Sequence, residues 1–408
     1  MKTKLILGTL MMVAPMLLLV GLGSPGTGNT APGSGDFKVL APISHGNLTI
    51  FPVVAGRTHD TSDFLTLDEG IRSGEVVVTE VGKMHTMVRR PPTNPYRPPS
   101  GAQVNTLVLV NNSKRPLILL AGEIVTGGKQ DRIVGKDRII APESDPVDLS
   151  VFCVEHGRWT ETSAKFESRN YLMAQPSVRK KVMEDKNQQR VWDEVRTQNY
   201  NIAANTLKAQ PATPQPSSGG ASGLTGSTSE TISVTASAPL IETESATSTH
   251  TFSGVMLDGA GATSYAKVRE NKQVEAQVKS IADPVEKSFE SVIKQLRDQN
   301  AVGVVVAVKG RIIWADIFAS KELLTKYWPK LLQSYAAEAL SASAGSGDAG
   351  IKTAQEFVEN WKTTHEVVDS EPGLYRQTEM TGDRFRAFEL TSLLPKQIFD
   401  LHLSKMAE

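Results

Sequence analysis

One cysteine, Cys153, occurs among 408 residues, so no intramolecular disulfide can form. The fold has to rest on its core and its hydrogen bonds, whatever redox compartment it meets. Neither charge is in excess: 44 Lys and Arg face 44 Asp and Glu. That balance argues against a general nucleic-acid binder, which needs a basic face to displace counterions. Metal-ligand spacings such as H-x-H or H-E-x-x-H do not occur, and no pattern calls for a metal or another cofactor. Gly127-Gly128-Lys129 lacks the G-x-x-x-x-G-K-[ST] spacing of a phosphate loop, Gln130 follows the lysine, and no helix is expected next. The sequence therefore names no reaction, and whether the protein is an enzyme stays open.

What is present is a chain long enough for one large or two ordinary domains with tails, at 39% hydrophobic and 22% charged residues. Lys2 and Lys4 precede an apolar stretch from Leu5 to Leu22, the pattern of a secretory signal, with Gly21 and Gly23 before a cut at Ser24. A retained anchor is the other reading, because about 18 apolar residues just span a bilayer. Either way the expectation is export, to the periplasm or beyond, with membrane contact only if residues 5–22 are kept. Residues 24–36 then read as a flexible tether. Residues 208–262 are dominated by Ser, Thr, Gly, Ala and Pro and read as a disordered insertion. Within it, Ile232–Ser248 is similar to the linker before the plug of some TonB-dependent transporters, which implies an envelope contact; plain linker is the alternative.

Between these segments, short apolar runs alternate with turn residues. Strands are expected within Phe37–Val54, at Glu75–Val81, Val104–Val110, Pro116–Leu120, Arg132–Val134, Arg138–Ile140 and Leu149–Val154, with one helical turn at Leu67–Ile71. The proline run at 89–100 fits only an exposed loop. Helical spacing marks Ser177–Asn199, a helix from Pro284 to Leu296, and Leu323–Leu340 with Pro329 inside it. The basic triplet Arg179, Lys180 and Lys181 reads as a solvated face. Val302–Val308 and Arg311–Phe318 form a hairpin around Lys309-Gly310, whose Asp316 reads as a solvated or ion-paired carboxylate. A linker at 341–350 precedes a short helix from Ile351 and strands at Val367–Ser370, Leu374–Thr378, Arg384–Leu390 and Phe399–Leu403. The expectation is an α+β protein: a β-rich sandwich or open-barrel core with packed helices. Residues 37–207 and 263–340 make one domain interrupted by the insertion, and 351–408 an α/β extension.

Chemistry-bearing side chains concentrate in one stretch, Leu117–Thr160. Strand parity puts Cys153 and Glu155 on one face, and Gln130 and Arg132 on one face. Glu123, Gln130, Arg132, Glu155, Arg158 and Trp159 are the candidates for a ligand pocket at a sheet end; Glu69, Glu80 and Cys153 are weaker candidates. Arginine forks suit phosphate or carboxylate groups, and a glutamate suits a base or hydroxyl acceptor. The competing reading is structural. Glu123 or Glu155 with Arg132 or Arg158 would be buried ion pairs that fix strand order, Cys153 an inert small hydrophobe, and Trp159 a core or rim aromatic. His156, at opposite parity to Cys153, is poorly placed as its base.

The runs Leu65-Thr66-Leu67-Asp68-Glu69, Ala121-Gly122-Glu123 through Gly127-Gly128-Lys129-Gln130-Asp131-Arg132, and Cys153-Val154-Glu155-His156-Gly157-Arg158-Trp159 resemble the ARG and Rhodanese-Phosphatase-superfamily-associated Protein domain family. The resemblance covers roughly residues 38–200 and resumes after the insertion, to about residue 330. Named for its association with ADP-ribosylglycohydrolases and rhodanese-phosphatases, the family implies a link to ADP-ribose or nucleotide metabolism. Two functional expectations follow. One is a domain binding a small polar or phosphorylated ligand. The other is a non-enzymatic envelope module that binds a protein partner through the proline-rich loop and the insertion.

Overall fold

A computed structural model describes residues 37–81, 106–158, 160–209, 250–252, 255–257, 263–296, 300–342 and 347–408. The signal-like segment, the proline-rich loop, Trp159 and the TonB-like stretch lie outside the described residues. The architecture is α+β, with mainly antiparallel sheets, one of them nearly closed into a barrel, and packed helices.

The barrel is built from β5 (Val76–Glu80), β6 (Thr106–Asn111), β8 (Glu123–Thr126), β9 (Arg132–Val134), β11 (Val147–Cys153) and β12 (Glu167–Met173), in the order β12-β8-β9-β11-β6-β5. Just before β12 the chain returns to β5: Thr79 bridges Lys165, and the Phe166 amide donates to the Val78 carbonyl at 2.9 Å. That return nearly closes the ring. A small sheet of β4 (Leu65–Thr66), β7 (Leu117–Leu119) and β10 (Arg138–Ile140) lies against it, and β13 (His250–Phe252) pairs with β14 (Val255–Leu257) as a separate two-stranded ladder. Val78, Leu109, Leu117, Val125, Val151 and Phe166 fill the shared interior. The β12 strand ESRNYLM, polar over its first four residues, and the short β8 strand EIVT, which opens on a glutamate, are not anticipated by the sequence pattern, because neither has a clean alternation.

The second sheet has nine strands. β1 (Phe37–Val39), β3 (Leu48–Ala55), β15 (Asn300–Val308), β16 (Arg311–Phe318), β20 (Gln397–Ala407), β19 (Phe385–Leu394), β18 (Tyr375–Gly382) and β17 (Thr363–Glu371) follow in that order, and β2 (Ile43–His45) also pairs with β3. Its centre is buried on both faces, which is why Val302–Val308 reads as an unbroken apolar run. Val304 and Val306 join one core with Trp314, Leu331 and Tyr335, whereas Val305 and Ala307 join another with Phe51, Ala354 and Leu403. The predicted two-residue turn stands: Lys309 and Gly310 both have positive φ, 52° and 70°, as a type I′ hairpin requires. The C-terminal strands continue this same sheet, since Asp316 of β16 registers with Ser404 of β20.

Among the described residues seven α-helices complete the structure: α1 (Leu67–Ser73), α2 (Pro176–Lys180), α3 (Gln188–Lys208), α4 (Tyr265–Glu270), α5 (Lys272–Gln295), α6 (Lys321–Ser341) and α7 (Ile351–Glu359). The single helix expected at Ser177–Asn199 is broken. After α2 the chain widens into a π turn over Lys181–Asp185, Lys186 turns left-handed at φ 49°, and the Asn187 side chain starts α3 afresh by accepting from the Arg190 amide. α5 begins twelve residues before Pro284 and runs through it. α7 covers the second face of the nine-stranded sheet and is pinned by Lys405. That ammonium donates to the Phe357 and Asn360 carbonyls and lies 4.0–5.0 Å from the ring centres of Phe385, Trp361 and Phe357.

α1 shows how local chemistry sets the short elements. The Thr66 hydroxyl accepts from the Glu69 amide at 3.3 Å while the Glu69 carboxylate accepts from the Thr66 amide at 2.9 Å, and Gly74 ends the helix left-handed. Glu69, a weaker site candidate, is thus half of a capping box. Thr66→Ala is expected to lower the unfolding free energy by about 1 kcal/mol, read by chemical denaturation. No change would mean that the box contributes nothing.

Candidate functional site

The Gly127-Gly128 turn between β8 and β9 gathers most of the sequence candidates. Gly127 has φ 131° and Gly128 φ 51°, and a Cβ on either would collide with Ser163 or Phe166. The turn presents its carbonyls to Arg158, which donates to Gly128 at 3.0 Å and also reaches Glu155 at 2.6 Å and Asp131 at 3.2 Å. Asp131 in turn accepts from the Gly127 amide. Burial and the neighbouring Glu155 raise its carboxyl above the usual range. Gln130 is fully buried and accepts from the Cys153 thiol at 3.0 Å. Burial pushes that thiol up, away from thiolate. Arg132 is buried with its Nη1 on the Asp131 carbonyl, and burial lowers its pKa. Glu80 accepts from the Lys129 amide at 3.2 Å. Gln130, Arg132, Cys153, Glu155 and Arg158 therefore do come together, in a cluster bonded mostly within itself, although Gln130 Nε2 and Arg132 Nε have no hydrogen-bond partner among the described residues.

Glu123 stands apart from them, contrary to the picture of one converging pocket. It is buried at the other end of β8, 2.6 Å from Lys330 of α6, which also contacts Asp68 of α1 at 2.5 Å. Burial raises the Glu123 carboxyl against the pull of Lys330. Burial also works against the Lys330 ammonium, but Glu123 and Asp68 outweigh it and raise its pKa.

The densest polar constellation was not singled out from the sequence. Arg179 of α2 is completely buried and grips Asp316 of β16 with two hydrogen bonds, 2.8 and 3.0 Å. Ser404, Tyr335 and His402 also bond the Asp316 carboxylate, and the other ring nitrogen of His402 lies 2.6 Å from Asp137. Asp137, in the turn between β9 and β10, accepts from the Ala121 amide at 2.6 Å. Arg179 stacks on Trp314 at 4.5 Å and passes so close to Gly122 (φ 99°) that a Cβ there would lie 2.6 Å from its Cγ. The solvated reading of Arg179 is thus corrected, while Lys180 and Lys181 keep partial exposure. One signal was available: Arg179 precedes Met183 by four residues and so shares that apolar residue's helical face. Burial alone would raise Asp316, but Arg179 and His402 hold it well below the usual carboxylate range. Burial opposes the charged ring of His402, yet Asp137 and Asp316 carry it up to about 9.

An open cleft of about 690 Å³ lies between α4, α5, α6 and Leu172 of β12. None of the sequence candidates lines it. Its floor is apolar, with Val278, Ala282, Pro329 and Leu332; its walls carry Arg269, Glu270, Glu275, Lys279, Asp283, Glu286 and Gln333. Lys279 is paired with Glu275 at 2.6 Å. Arg269 donates through Nη2 to the Gln333 carbonyl at 3.1 Å, while its buried Nη1 has no hydrogen-bond partner among the described residues. Burial raises the carboxyl of Glu286, and Glu290 and Asp283 add to the rise against the Trp328 indole. The Gly-Gly cluster supports this cleft from behind. Glu155 bridges Ser264 and lies 3.5 Å from Lys267, and the Tyr265 amide donates to the Val154 carbonyl. These contacts seat α4, the helix that carries Arg269.

Fold and site together describe an α+β domain held by buried charge networks, with a cleft walled by α4, α5 and α6. The chain matches the model of the ARG and Rhodanese-Phosphatase-superfamily-associated Protein domain over residues 36–404 and belongs to that family. The match runs past residue 330 and through the C-terminal strands, in keeping with their place in the nine-stranded sheet. No curated protein and no solved structure matches the chain.

The network has a pH signature. His402 sits at about 9 when folded, against 6.5 for the free side chain. Its contribution to stability is fully present below about pH 6.5 and is lost as pH rises through about 9, amounting to about 3 kcal/mol. The stability difference between wild type and His402→Gln, measured by guanidinium unfolding from about pH 6 to 10, should shrink across that window. A difference that stays constant with pH would show that His402 is not held charged.

Proposed function

We propose that the protein binds a small polar ligand in the α4–α5–α6 cleft, and that the charged stretch around the Gly-Gly turn positions this site rather than forming it. The carrying observation is Arg269: a guanidinium at the cleft wall whose buried Nη1 lacks a partner. A buried donor left unmade costs about 1–3 kcal/mol, and an acid group that drew the guanidinium toward the cleft would remove that cost with a charge-assisted bond.

The rest of the lining narrows the ligand. Four carboxylates face two cations, and one of the cations, Lys279, is already paired with Glu275. Such a wall repels a ligand with several negative charges. It favours one with a single carboxylate or phosphate for Arg269 and an amine for Asp283 and Glu286, over an apolar body resting on Val278 and Leu332. The link to ADP-ribose or nucleotides implied by the family's name is a distinct outcome of the same test, since a pyrophosphate would add charge that this lining opposes.

The test is thermal unfolding of the full chain against a panel of small zwitterionic acids, with ADP-ribose as the comparison. A binding zwitterion at one hundred times its Kd adds about 2.7 kcal/mol, a Tm rise of several degrees. Arg269→Gln should abolish that rise while shifting the ligand-free Tm little, because the replaced group makes one hydrogen bond and no ion pair among the described residues. Stabilisation by ADP-ribose alone, or a zwitterion response unchanged in Arg269→Gln, would reject this reading.

A further inference from the structure

A second cavity, of about 310 Å³, opens between the barrel and the β17–β19 end of the nine-stranded sheet. It shares no lining residue with the α4–α5–α6 cleft. The break after α2 adds Met183 of the π turn and the left-handed Lys186 to its wall. Phe152 of β11, Val367 of β17 and Phe388 of β19 join Met183 as its apolar lining. Its four charged groups are already matched. Lys136, in the turn after β9, pairs with Asp369 of β17, and Lys186 pairs with Glu379 of β18 at 2.8 Å. Gln377 of β18 differs. It stands opposite Asp369 in the ladder and two residues from Glu379, and so shares their sheet face. It is only 8% exposed and lines the cavity, yet its side-chain amide makes no hydrogen bond among the described residues.

We propose that this cavity takes a small, neutral ring compound bearing a carboxamide or lactam edge. A glutamine amide presents an acceptor and a donor side by side in one plane. A carboxamide or lactam presents the same two groups in reverse, so the two edges meet through a pair of parallel hydrogen bonds. An amide held out of water without a partner is unfavourable, and the ligand edge supplies that partner. Two phenylalanine rings and a methionine thioether suit an aromatic body, through edge or offset ring contacts and sulfur–ring contacts. The neutrality follows from the ion pairs. An acid or an amine gains a partner here only by parting Lys136 from Asp369 or Lys186 from Glu379, whereas a neutral amide leaves both pairs intact. The volume lies at the small end of ligand pockets, which suits one or two fused rings.

Calorimetric titration of the full chain with naphthamide, naphthoate and naphthamidine, one shape in three charge states, tests this independently of the other cleft. Naphthamide should bind with a Kd on the order of 0.1 mM, the strength expected for a ligand of its size. The acid and the amidine should bind at least tenfold more weakly. Gln377→Leu keeps the bulk of the side chain and removes the amide, and should weaken naphthamide about tenfold. Gln377→Glu should reverse the preference and make naphthamidine the tightest of the three. Val367 is 47% exposed at the cavity, so Val367→Trp adds bulk there without entering the core. It should abolish binding of all three probes, which keeps the test valid if exchanges at Gln377 disturb folding. No binding of naphthamide, equal affinity for the three probes, or a naphthamide affinity that Gln377→Leu or Val367→Trp leaves unchanged would overturn the proposal.

Discussion

The bidentate pair of Arg179 and Asp316 is the constraint on which the rest of the structure depends. Both groups are withdrawn from water completely, and an isolated buried charge costs several kcal/mol even after relaxation. The interior meets that cost by saturating the carboxylate, with only Arg179 Nε left without a partner in the pair among the described residues. Five hydrogen bonds, from Arg179 twice and from Tyr335, His402 and Ser404, converge on one carboxylate. The donors arrive from three elements: Arg179 from α2, Tyr335 from α6, and His402 and Ser404 from β20. His402 then hands the network on to Asp137 and the Ala121 amide of the barrel side. One carboxylate on a central strand thus fixes how the helices and the barrel meet the nine-stranded sheet.

Seen from that pair, the sequence runs that carry the family resemblance divide their labour. Within Ala121-Gly122-Glu123, the first residue donates to Asp137, the second leaves room for the Arg179 stem, and the third pairs with Lys330. Within Gly127 to Arg132, the turn carbonyls, Gln130 and Asp131 bind Arg158 and Cys153. Such residues read as reactive because they are polar, clustered and on strands. Their partners tie the Gly-Gly turn to Arg158 and seat α4, the helix that carries Arg269.

Much of the architecture was legible in advance. Wherever an apolar run was bounded by Gly, Pro or Asn, as at Arg132–Val134, Arg138–Ile140 and the Lys309-Gly310 hairpin, the strand appeared where expected, because those turns have specific backbone demands. What was illegible depends on distant partners. β12 opens on the polar run Glu167-Ser168-Arg169-Asn170, and pairing with β8 makes it a strand. The break at Lys186 lies inside a stretch of good helix formers and shows only in the left-handed turn beside the Asn187 cap. Arg179, Asp137 and His402 lie far apart in sequence, and no local pattern says that they meet. The cleft was illegible for the same reason: its walls are the outer sides of helices whose inner stripes were the visible signal.

Energetic coupling between Arg179 and Asp316 tests the central claim most directly. In a double-mutant cycle of Arg179→Met and Asp316→Asn by equilibrium unfolding, each single change should cost about 3–5 kcal/mol, because it strands the other charge or its donors in the interior. The double change should cost far less than the two together, leaving a large coupling energy. Small losses that simply add would contradict the account, since they would mean that the two groups are neither locked together nor holding the sheet, barrel and helices in register.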